Sequence, residues 1–230
     1  MFVGDSVTYG TTFVDQSQIL TSLLARELPE VLHRPTQILN ASAGGWAIGN
    51  EAGCLRSRGT SDSDWVIFVI NSGDIGQPFA PFVPSPNFPA HRPWSAIGEV
   101  FTRYVGPRVL GWVVAGDQGR TTPLDPGVDV PHDMQLFGGA KAFIEQHHAH
   151  MAVVFTPFQT ADFADSHAPA VLTNWASTHR APLVDLTPDF LRYPIQKLTF
   201  DGEHPRPAGD RVIADRLLKE LPRLIADAHE

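Results

Sequence analysis

The segment Trp65-Val-Ile-Phe-Val-Ile70 is apolar at every position. A strand with one wet face alternates, because successive side chains point to opposite sides of the sheet. An unbroken apolar run suits a parallel strand covered on both faces, and parallel neighbours need crossover connections, usually helices. The rest of the chain is patterned to supply them. Ile19, Leu20, Leu23, Leu24 and Leu28 recur at helical spacing between Asp15 and Leu28, with Pro29 and Pro35 closing the segment. Thr36 to Asn40 reads as a buried strand and Gly49 to Arg56 as a short helix. A helix over His132 to His147 carries Met134, Phe137, Ala140 and Ile144 on one stripe, and Met151 to Thr156 follows as a strand. Ala168 to Thr178 reads as a helix with Val171, Leu172 and Trp175 inward, and Leu183 to Leu186 as a short strand. The last helix, Arg206 to Ala226, turns Val212, Ile213, Leu217, Leu221 and Leu224 inward. Strands alternating with helices predict an α/β fold, a three-layer α/β/α sandwich around a mainly parallel sheet of about five strands.

One stretch breaks the alternation. Prolines recur from Gly76 to Pro93, with Phe79, Phe82 and Phe88 among them, and Gly116 to Pro131 is rich in Gly, Pro and Asp. A helix from Ser95 to Tyr104 and an extra strand from Val109 to Val114 are the regular elements expected between them. The 230 residues fit a single domain, 1–230, with an irregular insertion around 76–131. Two readings of the insertion stand: a wall beside a substrate site, or a cover over a core edge.

In an open parallel sheet the binding crevice lies outside the carboxyl ends of the strands. Met1-Phe-Val3 runs into Gly4-Asp5-Ser6, and a helix-like pattern follows. A serine at a strand-to-helix turn is either an N-cap or a nucleophile with its hydroxyl lifted off the sheet edge. Near the other terminus stands Asp201-Gly-Glu-His204-Pro205, just before the last helix. Asp and His three residues apart there can lie side by side, the carboxylate orienting an imidazole whose second nitrogen faces outward. Gly45 and Gly73 also follow apolar strands, so they fall on the same edge as Ser6.

These blocks resemble those of the SGNH hydrolases, the GDSL-type esterases and lipases. Gly4-Asp5-Ser6 with Tyr9-Gly10 is similar to the family's first block, and Asp201-Gly202-Glu203-His204-Pro205, continuing to Gly209, to its last. The resemblance implies the flavodoxin-like fold of that family and a Ser6–His204–Asp201 triad. In the second block, Asn40-Ala-Ser-Ala-Gly44-Gly45-Trp46, it implies Gly45, or else Gly44, as an oxyanion-hole N–H donor beside that of Ser6. The third block departs from the usual Gly-x-Asn-Asp. Here it reads Asn71-Ser72-Gly73-Asp74, so Gly73 stands where the family has its oxyanion asparagine. Asn71 lies on the same strand face and is the alternative donor, or else a structural residue. Removing one oxyanion donor typically costs about 100- to 1000-fold in rate. The implied activity is a serine esterase acting on small acyl esters, with an O-acetyl group on a carbohydrate taken by analogy with family members. The alternative is a protein that binds acylated glycans, or an O-acyltransferase with little hydrolysis.

Composition removes other classes. Net charge is −8, from 25 acidic and 17 basic side chains, without a basic cluster for nucleic acid or an anionic membrane. No stretch approaches the ~18 apolar residues that span a bilayer. One cysteine, Cys54, rules out an internal disulfide. No leader precedes the first strand, which gives the cytoplasm as the default expectation; a strand so short is equally what a trimmed start would leave. His147, His148 and His150 sit at a helix end without a completing Cys or carboxylate, so no metal and no organic cofactor is expected. Trp46 could stack on a sugar ring or pack in the core. Asp74 could contact substrate, or tie down its own loop by accepting backbone N–H groups.

Overall fold

The structure, a computed structural model, describes residues 1–77, 94–101, 130–158 and 167–228. Strands β1 (Phe2–Gly4), β2 (Asn40–Ser42), β3 (Trp65–Asn71), β4 (His150–Thr156) and β5 (Leu183–Asp185) form one sheet in the order β2-β1-β3-β4-β5. Every pairing is parallel. The helices in chain order begin with α1 (Ser6–Tyr9), α2 (Leu20–Leu32), α3 (Ile48–Arg58), α4 (Ala96–Val100), α5 (Val130–Gln146) and α6 (Ala168–His179). Then come α7 (Thr187–Phe190), α8 (Ile195–Leu198) and α9 (Pro207–Asp227). The chain divides into two compact units, 1–79 with 128–230 and 80–127. Of the irregular stretch expected at 76–131, most lies outside the described residues, including the strand expected at Val109 to Val114. Its described part contains α4, whose cap is Ser95, the side chain accepting from the Gly98 N–H.

The unbroken run in β3 is explained by two cores. Val66, Phe68 and Ile70 face one side, against Ile48, Ala52 and Leu55 of α3, Phe137 and Ile144 of α5, and Leu172 and Trp175 of α6. Ile67 and Val69 face the other, against Leu20, Leu24 and Leu28 of α2 and Ile213, Leu217 and Leu221 of α9. Each face removes apolar area from water at about 25 cal/mol per Å². A polar residue anywhere in β3 would therefore be buried on one side or the other.

Two boundaries differ from the sequence reading. Helix α2 runs through Pro29 to Leu32 and stops at His33, which takes the left-handed conformation (φ 52°) while its N–H reaches back to Glu30 O and Pro29 O. The second strand is Asn40–Ser42, later than the Thr36 to Asn40 expected. Its register is set by the short β1, whose Phe2, Val3 and Gly4 pair with Asn40, Ala41 and Ser42. Pairing partners, which local pattern does not record, decided where that strand forms.

Candidate active site

The turn after β1 gives the cap to Asp5 and not to Ser6. Asp5 is the N-cap of α1: its Oδ1 accepts the Val7 N–H at 2.9 Å. Ser6 is the first helical residue, so its hydroxyl is free to point away from the backbone. At the other end of the chain, the loop before α9 folds on Asp201. Its Oδ1 accepts the N–H groups of Glu203 (3.1 Å) and His204 (2.9 Å), an Asx-type turn. That turn swings the His204 ring over its own orienting carboxylate. His204 Nδ1 lies 2.7 Å from Asp201 Oδ2, and Nε2 lies 3.1 Å from Ser6 Oγ. The two terminal blocks, 198 residues apart in sequence, meet at the carboxyl edge of the sheet.

With Asp201 beside Nδ1, that nitrogen carries the proton in the neutral ring, and Nε2 is left to accept from the serine. Burial alone would raise the pKa of Asp201. Hydrogen bonds from the His204 N–H, the His204 ring and the Glu203 N–H outweigh it, so the carboxyl is held below its ordinary range and stays ionised. Ser6 Oγ also lies 3.2 Å from Asp5 Oδ2, so one hydroxyl proton faces two acceptors.

The N–H groups of Ser6 and Gly45 have no acceptor among the described residues. Gly45 sits at φ 75°, a conformation that side chains with a Cβ rarely adopt, and the turn it makes is exposed. Gly44, also exposed, precedes it in the same turn.

Asn71 is placed otherwise than an oxyanion donor would be. It is 1 % exposed; its amide donates to Asp5 Oδ2 at 2.9 Å, and its Oδ1 accepts the Gly73 and Asp74 N–H groups at 2.7 and 3.1 Å. Its side chain fastens the end of β3 to the serine turn. Gly73 cannot host the missing asparagine, because an added Cβ would come 2.7 Å from the Phe158 ring. Asp74, read as a substrate contact or as a tie for its own loop, is 1 % exposed and accepts the Asn71 N–H at 2.7 Å. It ties down the loop. Trp46 is half-buried and belongs to neither core. His147, His148 and His150 diverge: a ring nitrogen of the first meets Phe143 O, the second takes a left-handed backbone, and the third stacks on Trp65.

Three features went unassigned in the sequence. Asp5, which touches Ser6, is one of three buried carboxyls in Coulombic reach of one another, with Glu51 and Asp74. Burial raises Asp5, with hydrogen bonds from Val7, Ser6 and Asn71 opposing it. Burial, then the neighbouring Asp5, push Glu51 and Asp74 well above the carboxylate range. Both Glu51 oxygens and Asp74 Oδ1 lack a hydrogen-bond partner among the described residues. Glu203 points an oxygen at the catalytic ring, 3.8 Å from His204 Nε2. Phe13 and Phe200 form an exposed aromatic pair with centroids 5.6 Å apart, and the Arg206 guanidinium lies 4.4 Å above the Phe200 ring. Glu203 had a signal in sequence, its place inside the Asp201–His204 block; Asp5 and Asp74 had one each as anchors of their own turns, but the grouping of the three carboxyls had none.

A sheet of this order with a serine, histidine and aspartate at its carboxyl edge defines an α/β serine hydrolase. The profile of the GDSL-like lipase/acylhydrolase family matches residues 2–212, and the chain belongs to that family of serine ester hydrolases. No curated protein sequence matches it significantly. Similar solved structures include a lipase/acylhydrolase from Enterococcus faecalis (14 % identity, TM-score 0.63, covering 96 % of this chain and 93 % of that one). An acetyl xylan esterase from Geobacillus stearothermophilus is 14 % identical (TM-score 0.59, 95 % and 92 % covered). A two-domain esterase active on acetylated mannans is 15 % identical (TM-score 0.60), with 96 % of this chain and 48 % of that one covered. At these identities the likeness is one of fold. No helix among the described residues is long and apolar enough to cross a membrane.

Proposed function

We propose that the protein hydrolyses small acyl esters, with O-acetyl groups on carbohydrates as the substrate class, through Ser6, His204 and Asp201. The reading is carried by the relay Ser6 Oγ–His204–Asp201, with separations of 3.1 and 2.7 Å. Ser6 attacks the acyl carbonyl while His204 Nε2 takes its proton. Asp201 holds the ring by its Nδ1–H and stabilises the imidazolium. The N–H groups of Ser6 and Gly45 receive the oxyanion. His204 returns the proton to the departing alkoxide, then activates the water that releases the acid. Neither step calls for a metal or organic cofactor. The carbohydrate part of the proposal leans on the acetyl xylan and acetylated mannan esterases that share the fold.

A serine-directed fluorophosphonate tests the mechanism. The expected adduct is on Ser6, located by mass spectrometry, and absent in His204→Ala. Labelling elsewhere would remove Ser6 as the nucleophile. Acetate release from acetylated xylo- and manno-oligosaccharides tests the substrate class, and acetyl groups appearing on added oligosaccharide instead would move the protein to acyl transfer.

A further inference from the structure

We propose that Glu203 selects the alcohol half of the ester by charge, admitting neutral or cationic alcohols and turning away anionic ones. The inference rests on the triad reading and deepens it. Asp201 occupies Nδ1 of His204, so Nε2 is the nitrogen that hands a proton to the leaving alkoxide. Glu203 Oε1 stands 3.8 Å from that same Nε2, which also has Ser6 Oγ at 3.1 Å. At 3.8 Å it is too far to accept a hydrogen bond from the ring, so it does not compete with Ser6 for the proton. It acts through its charge. The side chain is 32 % exposed, open enough to face an arriving substrate and sheltered enough that water screens it incompletely.

No Lys or Arg among the described residues forms an ion pair with Glu203. Among the described residues the ion-pair geometry of Glu203 is with His204 alone. The closest cation along the chain, Arg206, donates to Thr199 O at 2.8 Å and lies against the Phe200 ring. Burial, and then the acidic Asp5 and Asp201, push the Glu203 carboxyl above its ordinary range, and His204 beside it opposes them by favouring the charged form; the buried Asp74 also lies in its Coulombic reach. A negative alcohol must leave through this field, whereas a neutral sugar hydroxyl feels little of it. When His204 becomes imidazolium, Glu203 also faces the new Nε2–H and favours the charged ring.

The test uses acetate esters that differ only in the charge of the alcohol: those of 3-hydroxybenzamide, 3-hydroxybenzoate and 3-hydroxyphenyl-trimethylammonium. Values of kcat/KM for wild type and Glu203→Gln are compared as ratios, so intrinsic reactivity cancels. In the variant the anionic-to-neutral ratio rises about 5- to 20-fold and the cationic-to-neutral ratio falls by a similar factor. In wild type the discrimination weakens from about 0.05 to 0.5 M NaCl. Unchanged ratios overturn the assignment, including the case where all three rates fall together, which a structural role would produce. If Glu203→Gln does not fold, Glu203→Ser is read the same way. Ser6→Ala separates the two claims. If it retains wild-type rates, both assignments fall; if it is inactive while the Glu203 ratios stay constant, only the selector falls.

Discussion

Two aspartates flank the Ser6–His204 pair, and they live under opposite conditions. Asp201 is half-exposed, and its oxygens accept from the His204 ring and from the N–H groups of Glu203 and His204. Asp5 is 4 % exposed and lies in Coulombic reach of Glu51 and Asp74. One is held ionised by its partners, and the other is pushed toward its neutral form by burial despite its hydrogen bonds. The lesson is that proximity to a nucleophile does not assign a role. The exposed carboxylate carries a settled charge and can stabilise an imidazolium; the buried one is an architectural anchor joining Val7, Ser6 and Asn71.

The contrast can be broken most sharply by rate. Ser6→Ala should lower kcat/KM for p-nitrophenyl acetate about 10⁴- to 10⁶-fold, and Asp201→Asn about 10³- to 10⁴-fold. Equal losses in Asp201→Asn and Asp5→Asn would erase the distinction between the two.

Asp210 extends the buried side of the comparison. Its Oδ1 accepts the Leu20 N–H at 3.0 Å, its Oδ2 has no partner among the described residues, and burial raises its pKa from 3.8 to about 7. The raised value means the folded protein keeps a proton that the unfolded chain has lost. Its contribution is therefore complete below pH ~4 and declines as pH rises to about 7, by at most about 4 kcal/mol. Urea unfolding at stepped pH should show that slope in wild type and a flatter one in Asp210→Asn, which keeps the acceptor for Leu20. Parallel slopes would mean that this carboxyl is not held protonated.

Smaller effects sharpen the anchoring role. Both Asp5 oxygens accept hydrogen bonds, so Asp5→Asn sets one amide against another at Asn71. It should cost about 1–3 kcal/mol in urea unfolding. A stability unchanged by the substitution would show that the buried carboxyl is relieved, rather than used, there. Gly73→Ala should cost about 1–3 kcal/mol, because the added Cβ presses on the Phe158 ring. If it costs nothing, the closed packing at the third block is not what keeps asparagine out.

Much of this was legible without coordinates. Continuous apolar residues in β3 announced a doubly covered parallel sheet, because no other strand environment tolerates them. Ser6, Asp201 and His204 stood out because a strand-to-helix turn and a loop before a helix are local events with local signatures. The place of Asn71 was not legible. Strand periodicity put it on a usable face, but the direction of its amide was fixed by Asp5, 66 residues away.

The sequence by itself determined the alternation of strands and helices, though not the bounds of β2, and which side chains could do acyl chemistry, since both follow from residue type and short spacing. Tertiary structure alone decided which polar groups became partners. It joined Asp5 to Asn71, turned Asn71 inward, closed Gly73 with Phe158 and set Glu203 beside Nε2. Those outcomes depend on burial and on distances of a few ångströms between remote segments, and no local pattern encodes them.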